Sequence, residues 1–398
     1  MSEWRECKFK ELFLIPLKNG LTKPSRIRGS GLRMVNMKEI FGFNFIDDKT
    51  PMECVPVSEN EIKNSLLSYD DLLFARQSLT EEGAGKISIF KGKEETVFES
   101  HLIRCRIDKN KANPDFIYYL FKSPIGKGTV STIVQQVAAA GIKGSDLQNL
   151  EFTIPNLPEQ KAIAAVLSSL DDKIDLLHRQ NKTLEAMAEM LFKQWFVIEA
   201  QEDWEEKSLL DVVQLVGGGT PKTSTQEYWD GDIPWLSGGD IASNHKSFII
   251  SSDKTITQNG LNNSSAKLLP KYATVISARG TVGKYCLLSK EMAYSQSNYG
   301  ILPKINNCFF FTYLLINHVV SELQSSAYGS VFDTITTSTF QENTVSIPKE
   351  IKIIEFEKQI AVYFHKKFNN QKQIQTLETL RDNLLPKLMS GEVRVNYQ

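Results

Sequence analysis

The chain has 398 residues with 41% hydrophobic and 23% charged side chains and a net charge of −1, which predicts two or three globular domains and excludes extensive disorder. Its five cysteines are far apart and include no CxxC pair, so they exclude a disulfide framework and a zinc ribbon and fit a reducing cytosol. The charged start argues against a signal peptide, and the longest apolar stretch is too short to cross a bilayer. We therefore expect a cytoplasmic protein with no membrane partner.

Positive charge is concentrated in one stretch of each half of the chain. Residues 1–40 carry nine Lys or Arg against four Asp or Glu, and residues 263–304 carry six against one, whereas residues 41–110 carry nine against thirteen. The first stretch includes four basic residues close together: Lys23, Arg26, Arg28 and Arg33. Such a patchy field can bind phosphates although the total is nearly neutral. Ordinary scatter of surface charge is the alternative.

The second half of the chain repeats the first. Residues 35–40 match residues 236–241, residues 72–76 match residues 275–279, and residues 154–196 match residues 347–389. Each half contains short apolar runs separated by Gly, Asn and Ser, which is typical of strands, and then a long helical pattern. The repeat predicts a globular domain over 1–155, a helix over 156–200, a second domain over 201–348 and a second helix over 349–398.

The first long helix carries an apolar heptad seam with one polar position. Spacings of four and three join the seam residues Ile163, Leu167, Leu170, Ile174, Leu177, Asn181, Leu184, Ala188 and Leu191. The second helix shows a weaker seam, formed by Ile360, Ile374, Leu377 and Leu384, with Lys367 and Asn370 as interruptions and Pro386 as an expected end or kink. The seams predict an antiparallel coiled coil, with Asn181 fixing its register. The alternative is that each helix docks on its own domain.

The sequence contains no convincing catalytic constellation. The run from Ala278 to Tyr285 has Ala and Tyr where a P-loop requires its first Gly and its Ser or Thr. No G-x-G-x-x-G follows a convincing strand, and the five histidines are isolated, so a dinucleotide site and a metal site are not expected. We therefore predict no catalytic residue, metal or cofactor in this chain.

Residues suited to recognition are present instead. Arginines in Gly-flanked loops suit guanine or phosphate contacts, and short amide side chains suit base edges. A Gly-rich turn can bring free amides to a phosphate, although a plain tight turn is at least as good an interpretation. For each arginine, a solvated surface or an ion pair is the alternative. The candidates are Arg76 and Lys86 in the first half, and Gly217, Gly218, Gly219, Thr220, Arg279, Gly280, Lys284, Gln296 and Asn298 in the second.

Together these motifs resemble the specificity subunit of type I restriction–modification enzymes. The resemblance is carried by residues 216–221 (VGGGTP), 233–241 (IPWLSGGDI, which adds Trp235 and Ser237 to the candidates), 278–284 (ARGTVGK) and 154–160 (IPNLPEQ) with the helix that follows. It covers essentially the whole chain. The first half departs from it, because it lacks the Gly-Gly-Gly-Thr-Pro run and the Pro-Trp-Leu.

The resemblance implies an α+β fold in which two pseudo-symmetric mixed α/β target-recognition domains are separated by two long antiparallel helices that form a coiled coil. It implies a non-catalytic subunit that reads a bipartite asymmetric site on double-stranded DNA and binds two modification and two restriction subunits. S-adenosylmethionine, ATP and Mg²⁺ are then expected in those partners. The alternatives are a stand-alone or fused DNA methyltransferase or nuclease, and a protein-only coiled-coil adaptor.

Overall fold

A computed structural model describes residues 4–136, 139–328 and 334–396. The chain forms two compact units. Unit 1 consists of Met1–Ile174 and Leu377–Gln398, and unit 2 of Asp175–Thr376. Both long helices therefore contribute one segment to each unit. No helix in the described ranges is both long enough and apolar enough to span a membrane.

Unit 1 is built on a five-stranded sheet with the order β2-β10-β6-β8-β4, beside smaller sheets with the orders β1-β13, β5-β3-β9 and β11-β12-β7. Its central strands β6, β8 and β10 consist almost entirely of buried side chains; β6 is apolar throughout, whereas β8 contains Ser88 and β10 contains Arg104 and Arg106. The strands are β1 Arg5–Lys8, β2 Phe13–Asn19, β3 Leu32–Val35, β4 Phe45–Ile46, β5 Glu53–Val55, β6 Leu72–Ala75, β7 Gln77–Ser78, β8 Ile87–Phe90, β9 Thr96–Phe98, β10 Leu102–Ile107, β11 Gln135–Gln136, β12 Ala140–Gly141 and β13 Glu151–Ile154.

Unit 2 repeats three of the four sheets of unit 1, and the sheet β11-β12-β7 has no counterpart among its described strands. Its sheets have the orders β15-β22-β19-β20-β17, β14-β23 and β18-β16-β21, and its parallel pairs, β17 with β20 and β16 with β21, match those of unit 1. The strands are β14 Glu205–Ser208, β15 Val213–Gly217, β16 Trp229–Leu236, β17 Phe248–Ile249, β18 Lys254–Ile256, β19 Thr274–Ser277, β20 Tyr285–Leu288, β21 Ala293–Tyr294, β22 Asn298–Pro303 and β23 Thr344–Ile347. The predicted duplication of a mixed α/β fold is confirmed.

The helices follow the same repeat. They are α1 Met37–Gly42, α2 Glu59–Ser65, α3 Pro114–Lys122, α4 Pro124–Ser131, α5 Gly144–Leu147, α6 Leu157–Lys193, α7 Leu209–Val212, α8 Gly238–Ser243, α9 Gln258–Asn262, α10 Phe309–Tyr328, α11 Thr337–Glu342 and α12 Glu350–Ser390. A π-helical turn, Gln194–Ile198, extends α6. The expectation that Pro386 ends the second helix is wrong, because α12 continues through it to Ser390.

The helix after β3 in unit 1 and the helix after β16 in unit 2 begin with the same kind of cap. Asn36 precedes α1 and pairs with Glu39 in a capping box, and Ser237 precedes α8 and pairs with Asp240 in the same way. Each acid accepts the backbone amide of its cap residue at 2.8 Å. The acids are buried, so the cap supplies the hydrogen bonds that their burial requires.

The segments of α6 and α12 within each unit run antiparallel. In unit 1, Arg381 of α12 donates to Asp171 of α6 at 2.8 Å. In unit 2, Lys367 of α12 donates to Glu185 of α6. Asn370 lies three residues after Lys367 in α12 and donates to Asn181, which lies four residues before Glu185 in α6. Opposite directions along the two helices thus bring successive pairs together, as the sequence predicts.

Candidate nucleic-acid interface

The loop between β19 and β20 presents Arg279 in unit 2. Gly280 and Gly283 adopt φ angles of 77° and 80°, a conformation that favours glycine. A Cβ atom at Gly283 would lie 2.5 Å from Nε2 of Gln324 on α10, and that amide donates to the Val282 carbonyl at 2.9 Å. The base of the loop is therefore held on α10, while Arg279 and Gly280 are exposed at its tip.

A short polar network joins this loop to the N-terminus of α8. The Thr281 hydroxyl lies 3.0 Å from Oγ of Ser277 and donates to the Gly238 carbonyl at 3.3 Å. Ser277 is paired with Asn298 of β22, whose Nδ2 donates to Oγ of Ser295 at 2.8 Å. The structure thereby brings five predicted residues to one edge of unit 2: Ser237, Arg279, Gly280, Gln296 and Asn298.

The five residues are not equally available to a ligand. Arg279 and Gln296 are exposed, whereas Asn298 is buried and Ser237 is used as a helix cap. Lys284 is half-buried at the end of the same loop. The side chains that can reach a base from this edge are therefore those of Arg279 and Gln296, with Gly280 allowing close backbone approach.

The glycine-rich turn favours the plain-turn interpretation over a phosphate site. The amides of Gly218 and Gly219 donate to the carbonyls of Asn298 and Tyr294, at 3.4 and 2.9 Å, so they are not free for a phosphate. A Cβ atom at Gly218 would lie 2.2 Å from the Ser295 carbonyl oxygen, and one at Gly219 would lie 2.1 Å from the Ser265 carbonyl carbon. These glycines are needed for close backbone packing.

The remaining candidates around that turn are partly buried. Trp235 is buried, and its Nε1 donates to the Gly219 carbonyl at 2.9 Å, so the indole holds the turn in place. Thr220 is half-buried, and Gly217 is exposed at the end of β15. The structural role of Trp235 explains why an aromatic residue follows Pro234 in this motif.

In unit 1, three of the four clustered basic residues form ion pairs with acids of the neighbouring segment. Lys23 contacts Glu61 at 2.8 Å, and this hydrogen-bonded ammonium lowers the pKa of Glu61 to about 2. Arg28 contacts the carboxylate of Glu53 at 2.6 Å. Arg33 contacts the carboxylate of Glu94 at 2.7 Å. The ion-pair alternative is therefore favoured for these three residues, and Arg26 is the exposed member of the cluster.

Lys86 and Arg76 lie at the loop that corresponds to the Arg279 loop. The Lys86 ammonium donates to the Phe41 carbonyl at 3.0 Å and lies 4.9 Å from the centre of the Phe41 ring. Arg76 is half-buried, its amide donates to His101 at 2.7 Å, and its carbonyl accepts from Ile142 at 2.9 Å. The backbone of Arg76 is thus fixed on both sides.

The sequence alignment that pairs Arg76 with Arg279 is wrong by one residue. In unit 2 the residue with the same two backbone bonds is Ala278, whose amide donates to Ser297 at 2.9 Å and whose carbonyl accepts from Ile335 at 3.1 Å. Arg76 therefore corresponds to Ala278. The counterpart of Arg279 is the next residue of unit 1, Gln77, which is exposed and which sequence reasoning missed.

The predicted helix-seam residues lie on the inner side of α6 and α12 within their own units. Eight are buried: Ile163, Leu167, Ile174, Leu177, Asn181, Ala188, Ile360 and Ile374. Five are half-buried: Leu170, Leu184, Leu191, Leu377 and Leu384. Lys367 and Asn370, read as interruptions, are buried as well, because their partners Glu185 and Asn181 lie opposite them.

A metal site and a reactive thiol each require a particular arrangement of side chains. In the described ranges, no group of three or more His, Cys, Asp and Glu side chains is placed to hold a metal ion. Burial raises the pKa of the Cys286 and Cys308 thiols, which disfavours the thiolate. The geometry suits recognition by exposed polar side chains on rigid strand ends.

The sequence matches the family model for the type I restriction modification DNA specificity domain twice, over residues 1–186 and residues 201–380. The chain belongs to this family. The resemblance found in the sequence is thereby confirmed, and the two matches correspond to the two copies of the fold.

Relatives of this specificity subunit include the type I restriction enzyme MjaIX specificity subunit of Methanocaldococcus jannaschii, which is 27% identical over 314 residues, or 73% of this chain and 71% of that protein. The HindI specificity subunit of Haemophilus influenzae is 25% identical over 322 residues, or 62% and 70%. The crystal structure of the S subunit of the M. genitalium type I system has the same fold, with a TM-score of 0.65, 14% identity and coverage of 100% of this chain and 97% of that one.

Proposed function

We propose that this specificity subunit reads a bipartite, asymmetric site on double-stranded DNA, with one half-site for each unit, and that it is itself non-catalytic. The observation that carries the proposal is the duplication of three sheets with the same strand order, with different exposed residues at equivalent positions. A duplicated scaffold presents two similar surfaces, and different side chains on them select different sequences. An asymmetric target follows from that difference.

In unit 2, the proposed reading edge consists of the Arg279 loop and the turn that carries Gln296. Both side chains are exposed on short connections between buried strands, and their positions are fixed by the hydrogen bonds around Ser277. Rigid support matters because base readout depends on placing donors and acceptors within hydrogen-bonding distance of a base edge. Arg26 and Lys86 are proposed as phosphate contacts in unit 1.

The two long helices are proposed to set the distance between the half-sites and to bind two modification subunits. α6 contains 37 residues and α12 contains 41, so each rod is roughly 55–60 Å long at 1.5 Å per residue. One turn of DNA is about 34 Å, so rods of this length can separate half-sites on one face of the duplex. Two restriction subunits would complete the complex, and S-adenosylmethionine, ATP and Mg²⁺ would be bound by the partners.

The test is co-expression of the full chain with the modification subunit of its own system, followed by genome-wide mapping of methylated adenine by single-molecule sequencing. The expected result is one bipartite motif that disappears when this chain is omitted. Methylation at the same motif without this chain would contradict the proposal, and so would a motif that consists of one uninterrupted sequence.

A further inference from the structure

Gln77 occupies the position in unit 1 that Arg279 occupies in unit 2. In unit 1, the last residue of β6, Ala75, donates its amide to the carbonyl of Lys86, directly before β8, at 2.8 Å. In unit 2, the last residue of β19, Ser277, donates in the same way to the carbonyl of Lys284, directly before β20, at 2.7 Å. Because this bond fixes the register, the second residue after the strand is Gln77 in one unit and Arg279 in the other.

The glycines that close the two loops place these positions in the same backbone frame. Gly85 donates to the Ala75 carbonyl at 2.8 Å, and Gly283 donates to the Ser277 carbonyl at 2.9 Å. Their φ angles, 79° and 80°, are nearly identical. The two loops differ in length, but each is closed by the same bond from the glycine amide to the last carbonyl of the strand.

The neighbours of Gln77 leave its side chain uncovered. Gln77 lies opposite Gly141 of β12, and Gly141 in turn lies opposite Gln135 of β11, so the three residues share one face of this small sheet. Gln77 and Gln135 are exposed, and Gly141 between them has no side chain. The backbone positions of the two glutamines are about 10 Å apart across two strand spacings, and Cγ of Gln77 lies 3.5 Å from where a Cβ of Gly141 would be.

Arg76 cannot take the same role. Arg76 lies at the bend between β6 and β7, in neither strand, and its backbone amide and carbonyl are both hydrogen-bonded. Arg76 is also half-buried, whereas Gln77 is exposed. The arginine that sequence matching selects therefore lies one residue before the position that corresponds to Arg279.

We propose that Gln77 reads an adenine in the half-site bound by unit 1 and that Arg279 reads a guanine at the corresponding place in the half-site bound by unit 2. The amide of glutamine pairs with N6 and N7 of adenine, and the guanidinium of arginine pairs with O6 and N7 of guanine. The assignment rests on the proposed function, since it requires that the two units read DNA.

The test uses the complex of the full chain with its modification subunit. Adenine methylation is mapped genome-wide for the wild type, Gln77→Ala, Gln77→Arg and the matched control Arg76→Ala. Affinities for duplexes carrying adenine or guanine at each position of the unit 1 half-site are then measured by fluorescence anisotropy at one fixed salt concentration.

We expect Gln77→Ala to lose discrimination at one adenine of one half-site, by about 5- to 150-fold in Kd, the range for one bidentate base contact. Gln77→Arg is expected to prefer guanine there. The other half-site and the Arg76→Ala motif stay unchanged. Because Gln77 is exposed, Gln77→Ala keeps the fold, and an unchanged melting temperature checks this.

Two results overturn the assignment in different ways. A wild-type bipartite motif that Gln77→Ala and Gln77→Arg both keep, at wild-type affinity, removes Gln77 as a reader and leaves the proposed function standing. A wild-type complex that methylates without any bipartite motif removes the proposed function, and the role of Gln77 falls with it. A change in the motif caused by Arg76→Ala also contradicts the register argument.

Discussion

Asn370 on α12 donates a hydrogen bond to Oδ1 of Asn181 on α6 at 2.9 Å, and both side chains are buried within unit 2. Oδ1 of Asn370 is buried with no partner among the described residues, so this amide depends on Asn181 and on Gln180 at 3.3 Å. Asn181→Leu is therefore expected to lower the free energy of unfolding by about 1–3 kcal/mol, measured by urea denaturation.

The double variant Asn181→Leu/Asn370→Leu separates the pair from its surroundings. Removing both amides also removes the unpaired Oδ1 of Asn370, and only the half-buried Gln180 loses a hydrogen bond. The double variant should therefore be at least as stable as the wild type. Replacing the exposed Asn369 by Ala is the matched control, with an expected change within about 0.5 kcal/mol. A double variant less stable than Asn181→Leu would show that the asparagine pair makes a net favourable contribution to the free energy of unfolding.

The same pair shows what the sequence could and could not predict about the helices. Heptad spacing located α6 and its buried asparagine, because apolar periodicity is a local property. It misread Lys367 and Asn370, because a polar residue in an apolar seam looks like an interruption until its partner on the other helix is known. Pairing between helices is tertiary information, and one sequence does not contain it directly.

The candidate interface shows the same division. Motif spacing found the Arg279 loop, since Gly280 and Gly283 mark a turn that needs positive φ. The match of Arg76 to Arg279 was wrong by one residue, because the loops differ in length and side-chain identity cannot fix strand register. Charge counting likewise placed Lys23 in a basic stretch and Glu61 in an acidic one, whereas the fold brings the two side chains together as an ion pair.

Glu357 of α12 caps the N-terminus of α10 and gives unit 2 a pH-dependent stability. Its carboxylate accepts the amides of Phe310 and Phe311, at 3.1 and 2.7 Å. Burial nevertheless raises its pKa from 4.5 to about 7, against the opposing effect of these hydrogen bonds. The folded state therefore holds a proton that the unfolded state has lost between pH 4.5 and 7, and stability falls as pH rises through this window.

Glu357→Gln should remove this dependence. We expect the variant to show a flatter melting-temperature profile between about pH 5 and pH 8, because glutamine does not titrate in this range. Unit 1 supplies the matched control, because Gln160 accepts the Asn113 amide at 2.9 Å in the corresponding place. Gln160→Glu should introduce the missing pH dependence. A wild-type profile that is flat over this range would contradict the assignment.

Arg279→Ala should weaken DNA binding by the specificity subunit complex by about 1–3 kcal/mol and relax selectivity at one base pair of one half-site. The side chain is exposed, so folding and assembly with the modification subunit should be unchanged. Anisotropy titrations against matched and single-substituted duplexes measure the effect. Lys290→Ala, an exposed basic residue on a different turn, is the control and should lower affinity equally for all sequences. Loss of assembly in Arg279→Ala would contradict the role.

The spacing between the half-sites can be changed without touching either unit. α6 leaves unit 1 after Ile174, and α12 returns to it after Thr376, so insertions at these two points leave the contacts within each unit intact. Four helical residues added to both helices lengthen each by about 6 Å and add a rotation of only about 40° beyond a full turn. If the helices set the spacing, the methylated motif should keep both half-sites and gain about two base pairs of spacer.

Insertions of two residues at the same points test whether helical phase matters as well as length. They add only about 3 Å but rotate one end of each helix by about 200° relative to the other, which changes the helical phase by more than half a turn. We expect methylation to be lost although thermal stability is retained, because neither unit changes internally. A four-residue variant that methylates the original motif with its original spacer would show that the helices do not measure the distance.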